Sequence, residues 1–216
     1  MAYNRGNSKQ IIVGAAALFV ADDSLEYFDS VGQYRFSSAS TTGVPAFAPG
    51  VDFKTTMSAC TAFTNVGYTM NGLELQFQPD FGEVQVDQLL DVARLYKQGM
   101  SVSLVTAFAE ATLDNLITAI AAKEADKTTS GSTETLELKS GDIGDVPVER
   151  ALVAVGPGTG DPNITKERVY VANRALSIES VTVSAKRDTP SMFEVTFRLL
   201  SASNGSYGKI VDRTVA

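Results

Sequence analysis

Histidine is absent from this 216-residue chain, and Cys60 is its single cysteine. Without histidine the usual zinc constellations and every histidine-based nucleophile pair are excluded, and one cysteine cannot close an internal disulfide. Cys60 sits among small residues between Met57 and Ala62, so it is expected to be a buried small hydrophobe. Basic charge is also scarce: the formal net charge is −7 and the sequence pI about 4.7. An acidic field argues against gripping nucleic acid through its phosphates, and suits a surface that DNA passes without sticking. Long apolar runs are missing as well. Ile11 to Ala21, preceded by Arg5 and Lys9, imitates a secretory signal but is shorter than the roughly 20 residues a membrane helix needs. A cut after Ala21 would also put Phe19 where signal peptidase wants a small residue. The run therefore reads as a buried strand over Ile11–Val20.

What is present is ordinary globular material, 44% hydrophobic and 20% charged. A chain of this size buries roughly 70% of its unfolded surface. We read 1–216 as one domain with a mobile N-terminal arm at 1–10 and long loops at 37–58 and 128–145. Asp22 and Asp23 lack the alternating acidic pattern of a calcium loop and read as a solvated turn. The segment Ser37 to Ser58 is rich in Ser, Thr and Gly and is broken by Pro45 and Pro49. Its isolated aromatics Phe47 and Phe53 mark it as an interaction arm that buries them in a partner.

The centre of the chain carries the strongest patterns. Leu73, Leu75 and Phe77 alternate with Glu74, Gln76 and Gln78, and after Pro79-Asp80-Phe81-Gly82 the alternation resumes with Val84 and Val86 against Glu83, Gln85 and Asp87. This predicts a hairpin turning at 79–82, with Glu74, Gln76, Gln78, Glu83, Gln85 and Asp87 on one wet face that holds no positive charge. Gln88 to Gln98 suggests a short helix closed by Gly99, and Ser101 to Phe108 an interior strand. Leu113, Leu116, Ile117, Ile120 and Ala121 then fall on one stripe, which predicts a helix over 110–124 packed on a sheet. Asp114 and Lys123 sit near the ends where the helix dipole favours them.

Further strands are expected at Thr135–Lys139, Arg150–Val155 and Arg168–Ala172. A closing hairpin is predicted from Val181–Lys186 and Phe193–Leu199 around Asp188-Thr189-Pro190, followed by an edge strand over Ile210–Val215. Gly156-Pro157-Gly158-Thr159-Gly160 imitates a phosphate loop, but Asp161 and Pro162 stand where a lysine and a hydroxyl are required, so it reads as a connecting turn. Glu83 and Asp87 share a predicted strand face, as paired catalytic carboxylates can, yet carboxylates alternating along a wet strand read as field-setting. No catalytic, cofactor or metal residues are assigned.

Two of these stretches carry a resemblance. Glu83, Val84, Val86, Asp87 and Gln88 match a strand of the form E-V-x-V-D-Q, and Ala109, Glu110, Thr112, Leu113, Asn115 and Leu116 match a helix of the form A-E-x-T-L-x-N-L. Their order and spacing resemble the tail tube (major tail) proteins of long-tailed bacteriophages, with weaker echoes in IIVGAAALFVAD and MFEVTFRLL. The resemblance implies a mainly β subunit, a β-sandwich or barrel with one flanking α-helix, whose sheets continue across subunits in a ring. It implies self-association into hexameric rings stacked as a hollow tube that conducts the genome. The other implied partners are tail proteins such as the tape measure, terminator and baseplate or tip proteins, with DNA passing through and no stable nucleic-acid binding. The implied location is the virion, after assembly in the host cytoplasm. On this reading the six polar residues from Glu74 to Asp87 face the lumen, Leu113, Leu116, Ile117 and Ile120 pack the helix, and Phe47 and Phe53 make inter-subunit contacts. The competing expectations are a secretion-system or other virion ring or tube protein, and a secreted β-sandwich binding module.

Overall fold

The computed structural model describes residues 12, 14–23, 36–37, 44–45, 47, 50–85, 91–140, 143–144, 147–159, 166–184, 187–188, 190–202 and 205–215. In chain order the elements are β1 (Ala17–Ala21), β2 (Phe36–Ser37), β3 (Val44–Pro45), α1 (Phe53–Ser58), β4 (Phe63–Asn65), β5 (Thr69–Val84) and β6 (Arg94–Phe108). There follow α2 (Leu113–Ala119), a 3-10 turn at Glu124–Asp126, β7 (Lys127–Ser130), β8 (Thr133–Leu136), β9 (Arg150–Pro157), β10 (Lys166–Ser177), β11 (Phe193–Leu199) and β12 (Gly208–Thr214). The protein is mainly β. Its principal sheet runs β4-β1-β9-β10-β11-β6-β5, with β12 also paired to β10, and every pairing in it is antiparallel.

The sheet divides at β10. Residues 166–172 of β10 carry β12 on the flank where Ala175–Ser177 carry β11, while β9 holds the opposite flank. A register shift between Ala172 and Ala175 falls where the neighbour changes, and such a bulge bends a strand. The sheet therefore curls, and Leu18, Leu152 and Ala154 meet Val102, Leu104, Val195 and Phe197 in one core. The opposite face of β1, β9 and β10 is also covered. Phe19, Val153, Val155, Val169 and Val171 pack there against Phe53 and Met57 of α1, with Cys60 and Phe63 beside them. Burial on both faces explains the unbroken apolar run in β1. The strand begins at Ala17, later than Ile11. Cys60 is the buried small hydrophobe that its surroundings suggest.

The 37–58 segment is not a free arm where it is described. Phe53 is fully buried and its ring lies 4.6 Å from that of half-buried Phe47, so both aromatics are engaged within this chain. The reason is a polar pin: the Glu167 carboxylate accepts the Phe53 backbone N–H at 2.9 and 3.0 Å and pairs with the Arg213 guanidinium at 3.1 Å. Arg213 lies 5.4 Å over the Phe47 ring and donates to the Val51 carbonyl at 2.9 Å. Asp52 caps α1 by accepting from Thr55 N at 2.7 Å, and that bond holds its carboxyl below the ordinary value.

Several other expectations are corrected. No hairpin turns at 79–82; β5 runs straight through, pairing Pro79 with Met100, Asp80 with Gly99, Phe81 with Lys97 and Gly82 with Tyr96. Gly82 serves the neighbouring aromatic ring: a Cβ there would lie 2.6 Å from Tyr96 Cζ. Residues 94–98 belong to β6 and are not helical, and 88–90 lie outside the described residues, as does the N-terminal arm 1–10. The interior strand at 101–108 is found within β6, between β5 and β11. Residues 181–184 form no strand; β11 pairs with β10 and β6 instead of closing a hairpin with them. The 128–145 loop opens with the β7–β8 hairpin, and β8 ends at Leu136, short of Lys139. The strands expected at 150–155 and 168–172 are present inside β9 and β10, joined as an antiparallel pair, and β12 is the expected edge strand. Arg168 fixes β12 to β10 through two bonds to Asp212 at 2.5 and 2.6 Å.

The helix predicted over 110–124 spans Leu113–Ala119, capped by Thr112. Its continuation is overridden by tertiary bonds. Buried Arg150 donates to the carbonyls of Ala21 and Ala122, each at 3.1 Å, and to the Glu124 carboxylate at 2.9 Å; Asp23 accepts from Glu124 N at 2.7 Å. Holding the connector there forces Ala121 to φ 53°, a left-handed conformation costing an L-residue roughly 1–2 kcal/mol. Glycine removes that strain, so Ala121→Gly is expected to raise the melting temperature by roughly 2–4 °C. A lowered melting temperature in calorimetry would show that the connector does not stop the helix in this way.

Candidate functional site

The two faces of β5, β6 and β11 differ sharply. Along β5, Leu73 and Leu75 point inward beside Val102, Leu104 and Phe197, while Glu74, Gln76 and Gln78 are exposed on the outer side. Register places Ser101 and Ser103 of β6 and Thr196 and Arg198 of β11 on that same outer side, with Glu194 further along β11. Gln76 donates to the Glu74 carboxylate at 3.0 Å. Asp80 falls on this side too, Glu179 accepts there from Thr196 Oγ1 at 2.7 Å, and Arg94 shares the parity opposite Val84, giving four carboxylates against two guanidiniums. The face is polar and net acidic, and it offers phosphates little to hold.

The straight course of β5 divides the six residues expected on one face. Glu74, Gln76 and Gln78 lie together. Glu83 has the opposite parity in an unbroken strand and falls with Phe77 and Phe81, because no turn intervenes to restore the first phase. Gln85 is exposed just beyond the strand, and Asp87 lies outside the described residues. Asp80, Glu194 and Arg198 were missed as members of the face. For β11 the signal was available: Glu194, Thr196 and Arg198 alternate with three apolar residues.

Beyond the Phe77–Val102–Leu199 row, β5 and β6 lose the support of β11 and continue as a two-stranded ribbon, Gln78–Val84 against Arg94–Ser101. The inward parity of the sheet carries on along it through Pro79, Phe81, Met100 and Leu95. Phe77, Phe81 and Leu95 are 54, 55 and 60% exposed, and Tyr96 is 46% exposed on the other side. Among the described residues no layer covers this side, which Glu83 and Lys97 share with the apolar residues. Between the layers, next to Leu75 and Phe77, an apolar cavity of about 210 Å³ opens toward Tyr170, Tyr207 and Ile210. Tyr207 bridges the gap by donating to the Met100 carbonyl at 2.7 Å.

The ribbon's root is fixed by the residues around α2. Glu110 accepts from Tyr68 N at 2.9 Å, and Asn115 Nδ2 donates to the carbonyls of Val66 at 2.9 Å and Glu110 at 2.8 Å. Thr112 accepts from Asn115 N at 3.2 Å. Gly67, at φ 80°, is forced by the same cluster, since a Cβ there would stand 2.1 Å from the Glu110 carboxyl. Of the predicted stripe, Ile117 is buried, Leu116 packs on the main core, Leu113 is half-buried and Ile120 stays 38% exposed because the helix has ended. Among the described residues no cluster of His, Cys, Asp or Glu could hold a metal ion.

Compared with known proteins, the chain matches no family model and no curated protein.

Asn115 is 4% exposed, and truncating it leaves two carbonyls without their donor. Asn115→Ala is expected to cost about 2 kcal/mol and to lower the melting temperature by roughly 4–8 °C. A change below 1 °C would mean that this side chain does not hold the ribbon's root.

Proposed function

We propose that this chain is a self-assembling structural subunit of a hollow tube, the tail tube of a long-tailed bacteriophage, built from stacked hexameric rings that conduct the genome. The observation that carries the proposal is the ribbon face: Phe77, Phe81 and Leu95 continue the core-facing side of β5 and β6 into solvent. A monomer gains nothing by exposing such a face, whereas an assembly buries it. Three further features support the same reading. Among the described residues β4, β5 and β12 each have one edge without a partner strand, and such edges let sheets continue between subunits. The outer face with Glu74, Gln76, Gln78 and Asp80 suits a lumen, because a polar, net acidic wall neither binds nor stalls a polyanion. The A-E-x-T-L-x-N-L resemblance falls on residues with structural work in the fold, Glu110, Thr112 and Asn115, rather than on incidental matches.

On this reading the partners are further copies of the chain and the proteins that start, measure and close the tail, and the subunit performs no catalysis. The exposed ribbon also favours a second reading, a binding module that docks a different protein on the same apolar face. The two separate by electron microscopy of the purified protein in negative stain. Stacked hollow rings are expected; a monomer that persists at high concentration would overturn the tube reading and favour the module.

The lumen assignment has its own test. Reversing Glu74, Asp80 and Glu194 to lysine adds phosphate-binding charge to the outer face without touching the core. In assembled particles this is expected to slow genome ejection, most at low salt, while tubes still form. Ejection at the wild-type rate would remove this face from the lumen.

A further inference from the structure

β5 carries a break in its pairing near its start. Met70 is registered with Ala107 and Leu73 with Thr106, so Asn71 and Gly72 stand against no residue of β6 and bulge from the ladder. Asn71 has φ 65° and Gly72 φ 73°, two consecutive left-handed residues for which Asn-Gly is a favoured pair. Buried Thr106 holds the bulge by donating from Oγ1 to the Gly72 carbonyl at 2.9 Å. Asn71 is exposed, and a Cβ on Gly72 would meet nothing within 4 Å.

An exposed asparagine is chemically labile when the main-chain nitrogen that follows it is unhindered, because that nitrogen can attack the side-chain amide. Asn65, Asn115 and Asn173 are followed by Val66, Leu116 and Arg174, and Asn115 and Asn173 are buried as well. Asn71 and Asn204 are the two asparagines followed by glycine. At the second pair the nitrogen is already engaged: Gly205 N donates to the Ala202 carbonyl at 2.8 Å.

We propose that Asn71 is a site of spontaneous covalent modification, deamidation through a cyclic imide, with water as the only co-reactant. Gly72 N loses its proton and bonds to Asn71 Cγ; the Cγ–Nδ2 bond breaks, and Nδ2 takes up that proton and leaves as ammonia. Water then opens the five-membered imide at either carbonyl. One opening leaves aspartate, and the other leaves isoaspartate, whose main chain runs through Cγ. Either product adds one negative charge to the formal −7. Both residues lie outside the ladder, so the extra main-chain carbon of isoaspartate breaks no registered pair. The inference is independent of the self-assembly reading.

Peptide mapping by mass spectrometry tests it on the full chain, incubated folded and, in parallel, unfolded in urea at the same mildly alkaline pH. The peptide holding Asn71 is expected to gain about one dalton, at a rate in the folded protein within about tenfold of that in urea. Gly72→Ala, which shields the nitrogen, is expected to slow the gain about tenfold in both states. Alanine at φ 73° is strained, so the product supplies a second readout that needs no variant. Isoaspartate arises only through the imide, whereas direct hydrolysis of the side chain gives aspartate alone. A mixture of the two at position 71 is expected. Aspartate without isoaspartate would overturn the proposal, as would conversion in urea with Asn71 intact in the folded protein, or conversion of the folded protein at Asn204 alone.

Discussion

The constraint on which the rest of this structure depends is a mismatch of length. β5 and β6 pair over fourteen registered positions, while β11 supports β6 over seven. Alternation along β5 carries the side that is core beside β11 onward after β11 has ended, and there Phe81 and Leu95 share it with Glu83 and Lys97. Among the described residues no strand or helix covers that side of the ribbon. Burying a side chain such as Phe or Leu is worth about 1.5–3 kcal/mol, so several left half in water represent a substantial driving force for association. The bulge opposite Asp80 and Phe81, and the crossing of Gly82 by Tyr96, keep the ribbon paired and twisted in place of a turn.

Presenting such a ribbon requires a rigid root, and the chain builds one from polar bonds. Asn115, Glu110 and Thr112 tie α2 to the strand connection at Val66–Tyr68, so the helix acts as an anchor at one end of the sheet. Arg150 clamps the following connector from the adjacent strand β9, and Glu167 with Arg213 pins α1 to the outer face of the other layer. These buried charges are costly to leave unpaired, which makes each cluster an all-or-none contact. With both faces of β1, β9 and β10 covered, the open surfaces among the described residues include the β5–β6 ribbon and the free edges of β4, β5 and β12.

Much of the fold was legible in the sequence because it depends on local alternation. The doubly buried β1, the interior part of β6, the β9–β10 pair and the edge strand β12 follow from apolar runs and period-two patterns that tertiary contacts reinforce. What was not legible depends on partners remote in sequence. Pro79-Asp80-Phe81-Gly82 has the composition of a turn, and only Tyr96 lying across Gly82 shows why it is a strand. That one difference moves Glu83 to the other face and splits the expected lumen residues. The end of α2 is set by Arg150, thirty residues from Ile120, and the engagement of Phe53 by Glu167, more than a hundred residues away. Val181–Lys186 alternates well, but residues 181–184 form no strand and 185–186 lie outside the described residues.

The central claim is that the ribbon's apolar face becomes an interior surface when copies associate. Hydrogen–deuterium exchange compared between the assembled and the dissociated protein tests this most directly, because it reads backbone protection segment by segment. The account predicts that assembly slows exchange chiefly in 77–84 and 94–100, with β1 and β9 equally protected in both states. Assembly that leaves the ribbon exchanging as fast as it does in the free chain would contradict it.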